Sequence, residues 1–109
     1  WERTQLNSDL WISYSNRNAI LTDNAANINN KSVPIDKNGA IQLYTKSNDV
    51  SGYCFERLLI NGILVYESKS VTEKYVYLWS PIFYVKKGDS VVVKLEAPDK
   101  WERYLFFYG

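Results

Sequence analysis

Two strand-like runs, YCFERLLI from Tyr53 and ILVYES from Ile63, are joined by Asn61-Gly62 and nothing else. Asn-Gly accepts the positive φ that both central residues of a type I′ turn require, so a tight hairpin is expected here. The turn also sets a register. Ile60 should face Ile63, Leu58 Val65 and Glu56 Glu67, while Leu59 meets Leu64 and Arg57 meets Tyr66 on the other face. Glu56 opposite Glu67 is unfavourable unless the strand ends splay or a cation such as Arg57 or Lys69 intervenes.

The rest of the chain has the same texture. No window shows apolar residues at i, i+3, i+4 and i+7, whereas short Val/Ile/Tyr/Phe-rich runs recur between Asn, Gly, Ser, Asp and Lys clusters. Strands are expected over 10–15 and, as its short partner, 18–22. Residues 33–35 form at best an edge strand, because Pro34 cannot donate to a ladder. Further strands are expected over 40–45, 75–79, 82–85, 90–96 and 103–108, with Val91, Val93 and Leu95 forming one inward row. The segments 23–32 (DNAANINNKS) and 46–52 (KSNDVSG) are polar loops whose side chains compete with ladder hydrogen bonds. Eight or nine short strands in 109 residues predict one all-β domain over 1–109, an antiparallel β-sandwich of Greek-key or jelly-roll type.

Composition narrows the chemistry. Thirteen Lys plus Arg balance twelve Asp plus Glu, so the basic excess that nucleic acid binding needs is missing. No run approaches the roughly 18 apolar residues of a membrane-spanning helix, and no membrane insertion is expected. The sequence holds no histidine, which removes the usual general base and the commonest metal ligand. Cys54 is the only cysteine and lies in the apolar run YCF; it reads as a buried, inert thiol. Neither Glu56 with Glu67 nor Asp99 with Glu102 carries a glycosidase motif, and no loop completes an EF-hand. The expectation is a protein that is not an enzyme and has no cofactor or metal site.

Aromatic residues are the one excess: nine Tyr and four Trp, and 16% aromatic residues in all. Such rings stack on the apolar faces of sugars and anchor protein contacts at little entropic cost, while Asn, Asp and Ser supply hydrogen bonds. Trp79 and Trp101 adjoin loop signals and rank above Trp11, which sits inside a strand. With Asn29, Asn30, Asn48 and Asp49 of the polar loops, they are the candidate ligand-binding residues. Both faces of the Asn61-Gly62 hairpin are apolar, as is the terminal strand, which is more surface than a lone sandwich hides. Leu59, Leu64, Tyr66, Phe106 and Tyr108 are therefore candidate contacts in a homo-oligomer.

The pattern LLINGILVYES, then SPIFYVKKGDSVVVKLE and a closing YLFFYG, resembles the C-terminal head domains of bacteriophage tail fibres and related trimeric receptor-binding proteins. The resemblance implies a jelly-roll-like sandwich similar to tumour-necrosis-factor and C1q heads, assembled as a homotrimer at the C-terminal end of a longer fibre. It implies a place on the virion, at the distal, extracellular end of the fibre, and adhesion to a bacterial surface glycan or outer-membrane protein. Two alternatives stand beside it: a structural trimerisation cap, and a carbohydrate-binding module of a polysaccharide-degrading enzyme.

Overall fold

In a computed structural model of the chain, the residues described are 17–24, 30–98 and 101–109. The strand expected over 10–15, with Trp11, and the loop residues Asn29 and Asp99 lie outside them. Nine strands form among the described residues: β1 (Arg17–Asn24), β2 (Lys31–Pro34), β3 (Gly39–Lys46), β4 (Gly52–Ile60), β5 (Ile63–Thr72), β6 (Tyr77–Trp79), β7 (Phe83–Val85), β8 (Ser90–Glu96) and β9 (Glu102–Tyr108).

The strands divide between two antiparallel sheets. A front sheet runs β1-β9-β3-β6, with β7 also along β3, and a back sheet runs β2-β8-β4-β5. The chain crosses between the sheets repeatedly and pairs strands distant in sequence, so the molecule is an antiparallel, jelly-roll-like β-sandwich. The strand expected over 18–22 falls within β1, whose described partner is β9 at the far end of the chain. Pro34 sits on β2, which among the described residues is an edge strand paired only with β8, in keeping with its missing N–H.

Alternation builds the core. Ile41 and Leu43 of β3 and Leu105 and Phe107 of β9 point inward from the front sheet, and Leu58, Val91, Val93 and Leu95 meet them from the back. Phe83, Val85 and Ile35 close the sides. Gly39 sits where a Cβ would lie 2.4 Å from the Tyr108 carbonyl oxygen, so β3 and β9 can approach only without one there.

The central hairpin forms as its turn demands, with φ of 53° at Asn61 and 79° at Gly62. Its expected register holds for only two pairs. Ile60 faces Ile63 and Leu59 faces Leu64, but Leu58 then faces Tyr66, leaving Val65 as the extra residue of a β-bulge. The slip corrects the expected Glu56–Glu67 pairing. Arg57 now faces Glu67, with Nε 2.8 Å from Oε2, and Glu56 faces Ser68.

One end of the interior is polar. Arg103, Glu56, Thr45 and Cys54 are all buried between the sheets. The Glu56 carboxylate accepts from Thr45 Oγ1 and from Cys54 Sγ at 3.5 Å, while Arg103 donates to the Cys54 sulfur at 3.8 Å and to the Glu102 carbonyl at 3.3 Å. Burial first, and then the Glu56 charge, push the Cys54 thiol up to about 12, so it is protonated at neutral pH. Its expected inertness thus has a physical cause.

Candidate ligand-binding face

Because Ile41, Leu43 and Thr45 face inward on β3, Gln42, Tyr44 and Lys46 must face out. The same rule on β9 turns Glu102, Tyr104 and Phe106 outward, and the pairing of β6 with β3 adds Tyr77 and Trp79. Tyr44 stands opposite Trp79 on one side and Tyr104 on the other; Lys46 stands between Tyr77 and Glu102.

The result is a ladder of aromatic rings across three strands. Tyr44 stacks on Trp79 with centroids 4.1 Å apart and on Tyr104 at 5.6 Å. Phe106 lies 5.9 Å from Trp79 and 5.6 Å from Tyr104, and Tyr77 lies 6.2 Å from Tyr44. Interplanar angles of 2° to 27° make the rings nearly parallel. Offset stacking of this kind adds about 0.5–1.5 kcal/mol per pair beyond area burial, so the rings hold one another in place. Trp79 is nevertheless 47% exposed and Tyr77 56%.

Polar groups border the rings. Lys46 Nζ is 3.7 Å from Glu102 Oε2 and 5.8 Å from the Tyr77 ring centre, and the Tyr104 hydroxyl donates to Glu102 Oε1 at 3.0 Å. Partial burial, then the Glu102 carboxylate, raise the Tyr104 hydroxyl above its ordinary pKa. On the inboard side, Gln42 donates to the Ser80 carbonyl at 2.8 Å and accepts from the Tyr108 hydroxyl at 2.6 Å. The face offers a stacked row of apolar rings with Trp79 and Tyr77 half-exposed, a carboxylate, an ammonium and an amide. Among its described residues none is an activated nucleophile.

The structure sorts the sequence candidates. Trp79 belongs to the ladder, and the loop carrying Asn48 and Asp49 adjoins its end, where the Asn48 carbonyl accepts from the Tyr75 N–H at 3.1 Å. Trp101 does not belong. It is 0% exposed, its indole N–H donates to the Val50 carbonyl at 2.7 Å, and the Arg103 guanidinium lies 5.3 Å from its ring centre, so it has no face left for a ligand. Asn30, with φ 64°, lies away from the ladder, beside a shallow depression of about 200 Å3 on the outer back sheet near Phe55, Arg57 and Lys94. A larger depression of about 310 Å3 beside Pro34, Asp36 and Lys37 is also separate from the rings.

The candidate contact residues divide similarly. Leu59 and Leu64 face each other on the outer back sheet, with Leu64 exposed. Tyr66 instead points inward, 6.2 Å from the Phe83 ring, and Tyr108 is fully buried against Ala40, Ile82 and Tyr84. Tyr108 therefore presents no contact surface, and Tyr66 is partly buried against the core. Phe106 is part of the ladder. Tyr44, Tyr77 and Tyr104 lie within strands rather than beside loop signals, and period-2 alternation in IQLYTK, YVYLW and RYLFFY is the sequence signal that marks them.

No protein-family model matches the sequence, and no curated protein matches it. Comparison with solved structures finds a likeness of fold to part of one enzyme and lower-scoring likenesses to two further proteins. A β-glucosidase from Paenibacillus barengoltzii superposes with a TM-score of 0.51 at 16% identity over 80% of this chain, which spans about a tenth (10%) of that enzyme's length. A family 35 carbohydrate-binding module from Clostridium thermocellum gives 0.49 at 17% identity, over 72% of this chain and 67% of the module. The pika protein GITRL gives 0.46 at 14% identity, over 71% of each chain. At these identities the likeness is one of fold.

Proposed function

We propose that this domain is a non-catalytic, glycan-binding β-sandwich module and that the aromatic ladder on the front sheet is its binding surface. One observation carries the reading: five rings from three strands, nearly parallel, with Trp79 and Tyr77 half-exposed and edged by Lys46 and Glu102. A sugar's C–H face packs on the half-exposed Trp79 and Tyr77, which the rings stacked behind them hold in place, and its hydroxyls bond to the charged rim. An open, shallow face suits binding without turnover. The superposition of this sandwich on about a tenth of a β-glucosidase fits an accessory domain in a carbohydrate-active protein. Glycan-array binding by the wild type and by Trp79→Ala tests the reading. Saturable binding that Trp79→Ala abolishes supports it; equal binding by both, or none by the wild type, overturns it.

A second reading is the adhesion head of a phage tail fibre: a homotrimer outside the cell, at the tip of a virion fibre, holding a bacterial surface glycan or outer-membrane protein. The observation favouring it is the exposed apolar end of the hairpin, where Ile63 and Leu64 stand uncovered beside Leu59 on the back sheet. Three weak sites on one fibre would gain strength by avidity. Sedimentation at micromolar concentration separates the readings, since a lone module is a monomer and the fibre head a trimer.

A further inference from the structure

Three non-glycine residues with positive φ occur among the described residues, and two are asparagines, which tolerate that conformation. The third is Tyr75, at φ 60° in the turn between β5 and β6. A bulky aromatic residue in the left-handed region is a strained choice that persists only where the surroundings impose it.

The surroundings here do impose it. The Tyr75 N–H donates to the Asn48 carbonyl at 3.1 Å, and the Ser47 N–H donates to the Val76 carbonyl at 2.9 Å. The buried Ser47 hydroxyl accepts from the Val76 N–H at 2.8 Å and reaches the Glu73 carbonyl at 2.8 Å. These bonds fasten both sides of Tyr75 to the β3–β4 loop. The ring itself is 64% exposed and stacks on no other ring among the described residues. Among the described residues, folding therefore strains the backbone and leaves most of the Tyr75 side chain exposed to water. Tyr75 is separated from β6 by Val76 alone, two residues from Tyr77 and four from Trp79.

We propose that Tyr75 is the outermost binding residue of the aromatic ladder, and that the ligand is an uncharged, extended glycan chain long enough to run from the Trp79–Tyr44 stack past the end of β6. This deepens the glycan-binding reading and rests on it. The ligand class follows from charge and shape. Among the described residues, the charged side chains at this end include the ion pair Lys46–Glu102, the sequence neighbours Glu73 and Lys74, and Asp49, so these residues hold no surplus cation to favour acidic sugars. A row of rings along β6, an edge strand among the described residues, matches successive residues of a chain better than one terminal sugar.

Calorimetric titration with cello-, xylo- and manno-oligosaccharides, from disaccharide to hexasaccharide, tests this on the wild type, Tyr75→Gly, Tyr75→Asn, Tyr75→Phe and Trp79→Ala. Wild-type affinity should rise with chain length. Tyr75→Gly and Tyr75→Asn, which relieve the strain and remove the ring, should melt a few degrees higher. They should keep the disaccharide affinity and lose roughly 10-fold for the hexasaccharide. Tyr75→Phe should match the wild type. Unchanged hexasaccharide affinity in Tyr75→Gly, with Trp79→Ala still losing binding, overturns the role of Tyr75 alone. A wild type that binds none of these sugars, yet binds a glycan on the array, overturns the ligand class. No glycan binding at all overturns the function with it.

Discussion

Asn61 and Asp89, 28 residues apart, are joined by a side-chain hydrogen bond of 2.9 Å from Asn61 Nδ2 to Asp89 Oδ1. Asn61 Oδ1 meanwhile accepts from the Ser90 N–H at 2.9 Å, and Asp89 Oδ2 accepts from the Lys86 N–H at 2.8 Å. The Asn-Gly turn and the Lys-Lys-Gly-Asp turn are thus one clamp that fixes the hairpin against β8.

The clamp should make stability depend on acid. The Lys86 N–H and then the Asn61 amide hold the Asp89 carboxyl below its ordinary pKa. A carboxyl depressed in the folded state contributes stability above the ordinary carboxylate range, and the contribution disappears as pH falls through the lowered value. Asp89→Ala should cost about 1 kcal/mol at neutral pH, since the site faces solvent and is screened. Melting curves should show wild type and variant converging in strong acid.

Cys54 gives the opposite dependence. Its pKa rises from 9.0 to about 12 on folding. A raised acid favours the folded state fully below the unfolded pKa, and that share is lost as pH climbs from 9.0 towards 12. Alkaline unfolding should begin later in Cys54→Ala. At neutral pH a chromogenic disulfide reagent should leave the folded thiol untouched and titrate it fully in denaturant.

The two tryptophans near loops should behave differently. Trp101→Ala should destabilise the domain by about 3–5 kcal/mol in urea titrations, because it empties a fully buried site and strands the Val50 carbonyl. Trp79→Ala, which removes two stacked pairs of a half-exposed ring, should cost about 1–3 kcal/mol.

Removing the buried guanidinium should be severe. Arg103→Ala removes a buried guanidinium from beside the buried Glu56 side chain and Cys54, and a loss of roughly 3 kcal/mol or more is expected. Arg103→Met combined with Glu56→Leu should recover a large part of it, because an apolar pair needs no compensation. Chemical denaturation of the single and double variants measures the coupling.

Local rules in the sequence reached the all-β class, the tight turn at Asn61-Gly62 and the inward row Val91, Val93, Leu95, because each depends on neighbours within a few residues. They failed where distant partners decide. The bulge at Val65 carries no composition signal; it brings Arg57 to Glu67 and spares Glu56 its like-charged neighbour. Trp101 follows a loop signal yet is covered, since Val50 and Arg103 reach it from elsewhere in the chain. Tyr44 and Tyr104 looked like ordinary outward strand residues until the pairing of β3 with β9 set them side by side.

The ladder draws its rings from around positions 44, 78 and 105, so it does not exist in the unfolded chain. Anything that settles across it acts as a brace spanning β6, β3 and β9 and binds the native state alone. By mass action, a compound present at a hundred times its dissociation constant would add about 2.7 kcal/mol to stability. Screening sugars for a rise in melting temperature would therefore search for the ligand without a label, with the fold itself as the reporter.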